Sequence, residues 1–141
     1  MIGELSRYKQ NGNFFFKSDD RLSAVCNAPN NSSGIYIIYA LENGIDNLIY
    51  IGISGRRGSD GAIIHRKDGL RGRFVTGKTD GILRKIYWPK KMQEENIEAL
   101  HIYWFVTYGE FNHDFPRDLE IELLNKYLLL HGKLPRWNKG I

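Results

Sequence analysis

Cysteine is almost missing from this chain. Cys26 stands alone among 141 residues, so no internal disulfide can form. A chain held without cross-links fits a reducing, cytoplasmic environment, and Cys26, with no histidine near it in sequence, is expected as a buried structural thiol. Long apolar runs are missing too. Asp, Glu, Lys or Asn interrupts each one well short of the roughly 20 residues that a membrane helix needs, so no membrane partner is expected. The first residues show no basic stretch followed by an apolar one and a small-residue cleavage site, which argues against a secretory signal. Proline is scarce, and repeats, low-complexity tracts and Pro/Ser linkers are lacking, so a single domain is expected. Apolar residues make up 42% of the chain, enough for one packed core.

Charge is present but unevenly spread. The net value is +4, yet between Arg56 and Lys91 eleven Lys and Arg residues face three acids, a local +8 that leaves −4 elsewhere. A basic block on an otherwise acidic chain suits a phosphate-facing surface, where each neutralised phosphate releases condensed counterions. A solvated face with no ligand has the same composition, and charge alone does not separate the two.

Periodicity divides the chain into elements. Residues 1–33 read as an N-terminal extension packed on the core. Phe14-Phe15-Phe16 docks on that core, and Ser18-Asp19-Asp20 caps a brief helix over Arg21 to Asn27 that ends at Pro29. Residues 34–141 form the main domain. Gly34 to Leu41 and Leu48 to Ser54 are strands of a hairpin with a turn signal at Asn43-Gly44. Both strands are apolar on both faces, so the sheet is expected to be covered on each side. Parity matters here. A two-residue turn pairs Glu42 with Ile45 and sends Tyr36 and Tyr50 to opposite faces, whereas an odd-length turn puts both on one face.

Beyond Ser54 comes a glycine-rich basic loop, Gly55 to Gly61. Short helical pieces follow over Ala62 to Lys67, Leu70 to Val75 and Ile82 to Tyr87, the last stopped by Pro89. Leu100 to Thr107 is a third strand. Asp114 caps a final helix with Pro116 in its first turn, apolar at Leu119, Leu123, Tyr127 and Leu130, and ending near Gly132. The expected architecture is α+β, a small central antiparallel sheet of about three strands flanked by helices.

Gly34-Ile35-Tyr36 opens one hairpin strand and Tyr50-Ile51-Gly52 lies in its partner, and together they resemble the GIY-YIG nuclease family, most closely its restriction-endonuclease-like branch. The resemblance covers roughly residues 34–138. It implies a GIY-YIG-like fold and a metal-dependent endonuclease that hydrolyses DNA phosphodiesters, with Tyr36 and Tyr50 in the active site and Gly52 supporting it. The family's arginine follows a leucine by three positions, which selects Arg73 after Leu70, with Arg71 as runner-up. A guanidinium there holds two phosphate oxygens through paired, charge-assisted hydrogen bonds and steadies charge developing on phosphorus.

The family's metal ligand is a glutamate followed by aliphatic residues three and four positions on. Glu120, with Leu123 and Leu124, fits that pattern, and Glu122 does not. One carboxylate suits Mg²⁺, with Mn²⁺ as a substitute, because this ion keeps several waters and takes its other ligands from substrate phosphate. Pro135-Arg136-Trp137-Asn138 resembles the family's closing pattern, which implies that Asn138 braces the site by hydrogen bonding. Trp137 packs on the core.

Two kinds of group are candidates for the general base. One is a hairpin tyrosine whose pKa of about 10 is lowered by a neighbouring cation. The other is His65, with an unperturbed value of about 6.5. Arg56, Arg57, Arg66, Lys67, Arg71 and Lys78 are the candidate DNA contacts. The segment Phe111 to Asp114 lacks the partners of a His-Asn-His nuclease, and no Gly-Lys-Ser/Thr follows the glycines after Ser54, which excludes a Walker loop. Three roles stay open: a site-specific restriction-type enzyme, a structure-specific repair or recombination nuclease, and a catalytically silent DNA-binding module. Monomer and homodimer are equally open.

Overall fold

The computed structural model describes residues 2–141. After a 3₁₀ turn at Ile2–Leu5, the elements are β1 (Asn11–Phe16), α1 (Leu22–Val25), β2 (Ser33–Glu42), β3 (Ile45–Ser54), β4 (Arg56–Arg57) and β5 (Ile63–Ile64). They continue with α2 (Gly69–Val75), β6 (Lys78–Thr79), β7 (Ile82–Leu83), α3 (Arg84–Glu95), β8 (Ala99–Tyr108) and α4 (Pro116–His131). The class is α+β, as expected.

The central sheet has four antiparallel strands in the order β1-β8-β2-β3, one more than anticipated. The additional strand comes from the N-terminal segment, where Phe14 to Phe16 do not merely dock on the core but pair with Ile102 to Leu100. Phe14 and Phe16 point inward, while Phe15, on the alternate face, stacks on His101 at 3.9 Å.

Each face of the sheet is covered. On one, Tyr36, Ile38, Ile102 and Trp104 pack with Leu70 and Phe74 of α2 and Trp88 and Met92 of α3. On the other, Ile35, Ile37, Ile51 and Phe105 pack with Leu119, Leu123 and Leu124 of α4 and with Leu5 and Tyr8. Cys26 is buried on the first face, where desolvation pushes its thiol pKa up.

Several local expectations change. Residues 62–67 are not helical: Ile63 and Ile64 are a β-branched pair suited to extended backbone, and they form a two-residue ribbon with Arg57 and Arg56. The helix expected to stop at Pro89 begins later and runs through it to Glu95. Burial of Trp88 and Met92 against the sheet outweighs the roughly 3 kcal/mol that an interior proline costs. The brief helix after Asp20 shortens to Leu22–Val25 and has no side-chain cap, because the Asp20 carboxylate accepts from the Lys17 amide instead. Nor does Asp114 cap α4. Phe115 holds the N-cap position, and Asp114 accepts from Tyr8 Oη at 2.6 Å. Of the four apolar positions foreseen on α4, Leu119 and Leu123 are buried while Leu130 lies open to solvent. Among the described residues, no helix is long and apolar enough to cross a membrane.

Candidate active site

The hairpin settles the parity question by a third route. Glu42 pairs with Ile45 across a two-residue turn, and Asn43 and Gly44 both take positive φ (51° and 75°), as the tight turn requires. That register holds as far as Tyr39 with Leu48, after which Ile38 faces Tyr50. Ile49 is thus an extra residue, a β-bulge that shifts the ladder by one. An even turn plus one bulge brings Tyr36 and Tyr50 to the same face, their ring centroids 6.0 Å apart. Gly52 makes room for the pair. A Cβ there would lie 2.5 Å from the Tyr36 hydroxyl and 2.6 Å from the Tyr50 ring.

Tyr36 is fully buried, and its hydroxyl has no hydrogen-bond partner among the described residues. A buried phenol without a partner costs about 1–3 kcal/mol. Tyr50 is pushed up to about 12, first by neighbouring Tyr36 and then by burial; Arg84 and Arg73 pull it down and Glu120 pushes it up. For Tyr50 the expectation of a lowered tyrosine pKa is therefore reversed. The neighbouring phenol and burial disfavour charge on it more than the nearby guanidinium groups favour it, and Tyr50 stays a donor.

Arg73, on α2, lines a cleft of about 300 Å³ with Arg56, His65, Arg66 and Ser54. The only hydrogen bond from its guanidinium among the described residues goes to the Lys78 carbonyl at 3.3 Å, which leaves most of the donor fork free. The closeness of Gly77 is needed for this, since a Cβ there would meet the Arg73 carbonyl oxygen. His65 Nδ1 and Ser33 Oγ are 2.6 Å apart, which orients the exposed imidazole over the cleft. Burial, with Arg73 and Arg84 nearby, lowers the Arg66 pKa, a sign of concentrated positive potential.

The other expected cations separate into two groups. Arg71 is turned inward and donates to the carbonyls of Cys26 (2.9 Å) and Ser23 (2.8 Å), so it braces α1 against α2 and is not a phosphate contact. Arg57 lies 3.6 Å over the Phe115 ring and pairs with Asp118 at 3.2 Å. Arg56, Lys67 and Lys78 are exposed.

Sequence reasoning missed one residue in particular. Arg84, the first residue of α3, is 1% exposed, and its guanidinium lies 5.4 Å from the Tyr36 ring, 5.9 Å from Tyr50 and 5.1 Å from Trp88. Within the basic block nothing marks it among ten other cations. The available signal was Trp88 four positions on, which puts both side chains on one helix face.

Glu120 comes from α4, the helix of the opposite face, yet lies near enough to Tyr50 to raise its pKa. Its side chain is 12% exposed, and Oε1 accepts from Arg117 at 2.5 Å. Among the described residues no group of three His, Cys, Asp or Glu could hold a metal ion. The donor set fits Mg²⁺ only as an ion with one protein carboxylate, through Glu120 Oε2, and its remaining ligands from water and phosphate.

The closing segment ties down the edge strand. Trp137 donates its amide to the carbonyl of the bulged Ile49 at 2.8 Å. Asn138 brackets Ile51, donating to its carbonyl at 2.9 Å and accepting from its amide at 3.0 Å. The Trp137 ring packs on the core and donates to Glu95. No protein-family model, curated protein or solved structure gives a significant match to this chain.

Proposed function

We propose that this protein is a GIY-YIG-type, Mg²⁺-dependent endonuclease that hydrolyses DNA phosphodiesters. The observation that carries the reading is the cluster at Tyr50, whose ring lies 6.0 Å from that of Tyr36 and 5.9 Å from the Arg84 guanidinium, with Arg73 and Glu120 near enough to bear on its charge. These groups come from β2, α2, α3 and α4, elements distant in sequence.

In this reading a DNA strand lies along the cleft of Arg56, Arg66 and Arg73. Arg73 grips non-bridging oxygens of the scissile phosphate and steadies the charge that grows on them. Tyr50 stays protonated and donates a hydrogen bond, and the Tyr36 hydroxyl, unpartnered among the described residues, gains an acceptor. His65, oriented by Ser33, takes the proton from the attacking water. Glu120 would hold a divalent cation, which would supply Lewis acidity to the reaction when bound.

The test is digestion of a long mixed-sequence DNA with Mg²⁺ or Mn²⁺, with and without EDTA, by wild type and Glu120→Ala. Expected are cleavage by wild type, none with EDTA, and a loss of about 10³-fold or more in the variant. Equal cutting by Glu120→Ala overturns the metal assignment. Discrete bands identify a site-specific, restriction-type enzyme, and a preference for junctions or flaps a structure-specific one. Binding without any cutting replaces the reading with a silent DNA-binding module.

A further inference from the structure

A second cavity, lined by different residues from the Arg73 cleft, has Tyr50 in its wall. It has a volume of about 110 Å³ and aromatic walls of Tyr50, Tyr87, Trp88 and Trp137. Its cationic lining is Arg84, Lys91, Arg136 and Lys139. Three of these four cations already have carboxylate partners. Lys91 pairs with Glu95 at 3.3 Å, Arg136 with Glu42 at 2.7 Å and Glu95 at 2.9 Å, and Lys139 with Asp80 at 2.5 Å.

Arg84 differs. It is the most deeply buried of the four, yet among the described residues no carboxylate lies within ion-pair distance of it. Its two hydrogen bonds are long, from Nε to Thr79 Oγ1 at 3.3 Å and from Nη1 to the Arg73 carbonyl at 3.5 Å, and Nη2 makes none. Contacts with three aromatic rings offset only part of the cost of removing a guanidinium from water. Buried charges are ordinarily paired, and among the described residues Arg84 has no such partner.

We infer that this cavity is an anion subsite in which Arg84 holds one phosphodiester of the substrate strand, next to the phosphate gripped by Arg73. The chemistry fits a phosphate in three ways. The free edge of a guanidinium matches two phosphate oxygens. The space admits a compact anion. The aromatic walls suit the nucleoside that follows it. Because Arg84 Nη1 donates to the Arg73 backbone, the two guanidinium-bearing residues are mechanically joined, and a strand crossing Tyr50 meets both. The inference rests on the nuclease reading for the identity of the strand, but the anion site is separable from cleavage.

The probe is a thymidine dinucleotide carrying a 5′-phosphate, titrated in EDTA and followed by tryptophan fluorescence, since Trp88 and Trp137 line the cavity. Wild type is expected to show saturable quenching. Arg84→Met should weaken binding by about tenfold and lower the slope of log Kd against log salt by about one, with Arg84→Lys intermediate. Inorganic phosphate, run as a parallel arm, should compete through Arg84 but bind more weakly than the dinucleotide; equal binding limits the site to a free anion and overturns the strand assignment.

Unchanged affinity and salt slope in Arg84→Met overturn the inference. Should that variant not fold, the Arg84 Nε–Hε resonance of the wild type decides: a shift on adding dinucleotide supports the subsite and an unmoved signal removes it. Arg84-dependent binding without any DNA cutting keeps the subsite and discards the nuclease reading. Cutting with binding indifferent to Arg84 does the reverse.

Discussion

The two faces of the central sheet are built from the same strands and solve different problems. Beneath α4, Ile35, Ile37, Ile51 and Phe105 meet Leu119, Leu123 and Leu124, an apolar layer. Beneath α2 and α3, the corresponding layer contains two packed phenols, one with a buried hydroxyl, and a buried guanidinium; among the described residues that hydroxyl has no hydrogen-bond partner and the guanidinium no counter-ion. Burial of that kind weakens a core, because polar groups lose water without full replacement. The layer beneath α4 therefore carries stability of a kind that the second face partly gives up. Such a division is what a preorganised binding site requires, since donors aimed at a ligand must stand ready before it arrives.

That contrast breaks first at Arg73. Arg73→Ala should lower cleavage by about 10²–10³-fold while the melting temperature stays within a few degrees of wild type, measured by initial rates and thermal unfolding. A parallel fall in both would mean that the face is structural after all. The converse experiment is Leu123→Ala on the face beneath α4. It should cost about 2–5 kcal/mol in denaturant unfolding, with cleavage per folded molecule unchanged.

Gly52→Ala sharpens the comparison, because its new methyl presses on both tyrosines at once. A cost of about 1–3 kcal/mol is expected, accompanied by a larger loss of cleavage than that destabilisation explains. The smallest effect lies away from the site. Desolvation lowers the His101 pKa, which neighbouring Asp46 partly restores. The folded state then binds fewer protons there than the unfolded chain, so this contribution is intact above pH of about 6.5 and is lost as pH falls through the lowered value. His101→Gln should flatten the decline in unfolding free energy between pH 7 and 5; an unaltered slope rules the contribution out.

Features written locally were legible in the sequence. The turn at Asn43-Gly44, the apolar runs of β2, β3 and β8 and the three- and four-residue spacing at Leu119 and Leu123 each have a short-range physical signature. Asn138 stood out by its position in the closing pattern. What escaped reading depends on partners far away in the chain. The bulge at Ile49 is fixed by the Trp137 amide, and no window around Ile49 contains that information. Arg71 and Arg73 look equivalent until the carbonyls of Ser23 and Cys26 claim the first. Pro89 looks like a stop until the sheet buries Trp88 and Met92. Phe14 to Phe16 read as a patch, because three consecutive aromatics hide the alternation that makes them a strand.

The closing segment over β3 has a consequence for the life of the molecule outside its site. β3 is an edge strand, and ten residues of open backbone on such an edge are a template for pairing with another copy. Trp137 and Asn138 occupy the main-chain groups of Ile49 and Ile51, and the bulge between Leu48 and Tyr50 interrupts the straight ladder an incoming strand would need. The contacts that hold Tyr50 in place thus also act as a guard against self-association, and losing the tail would expose the edge and release the tyrosine in one step.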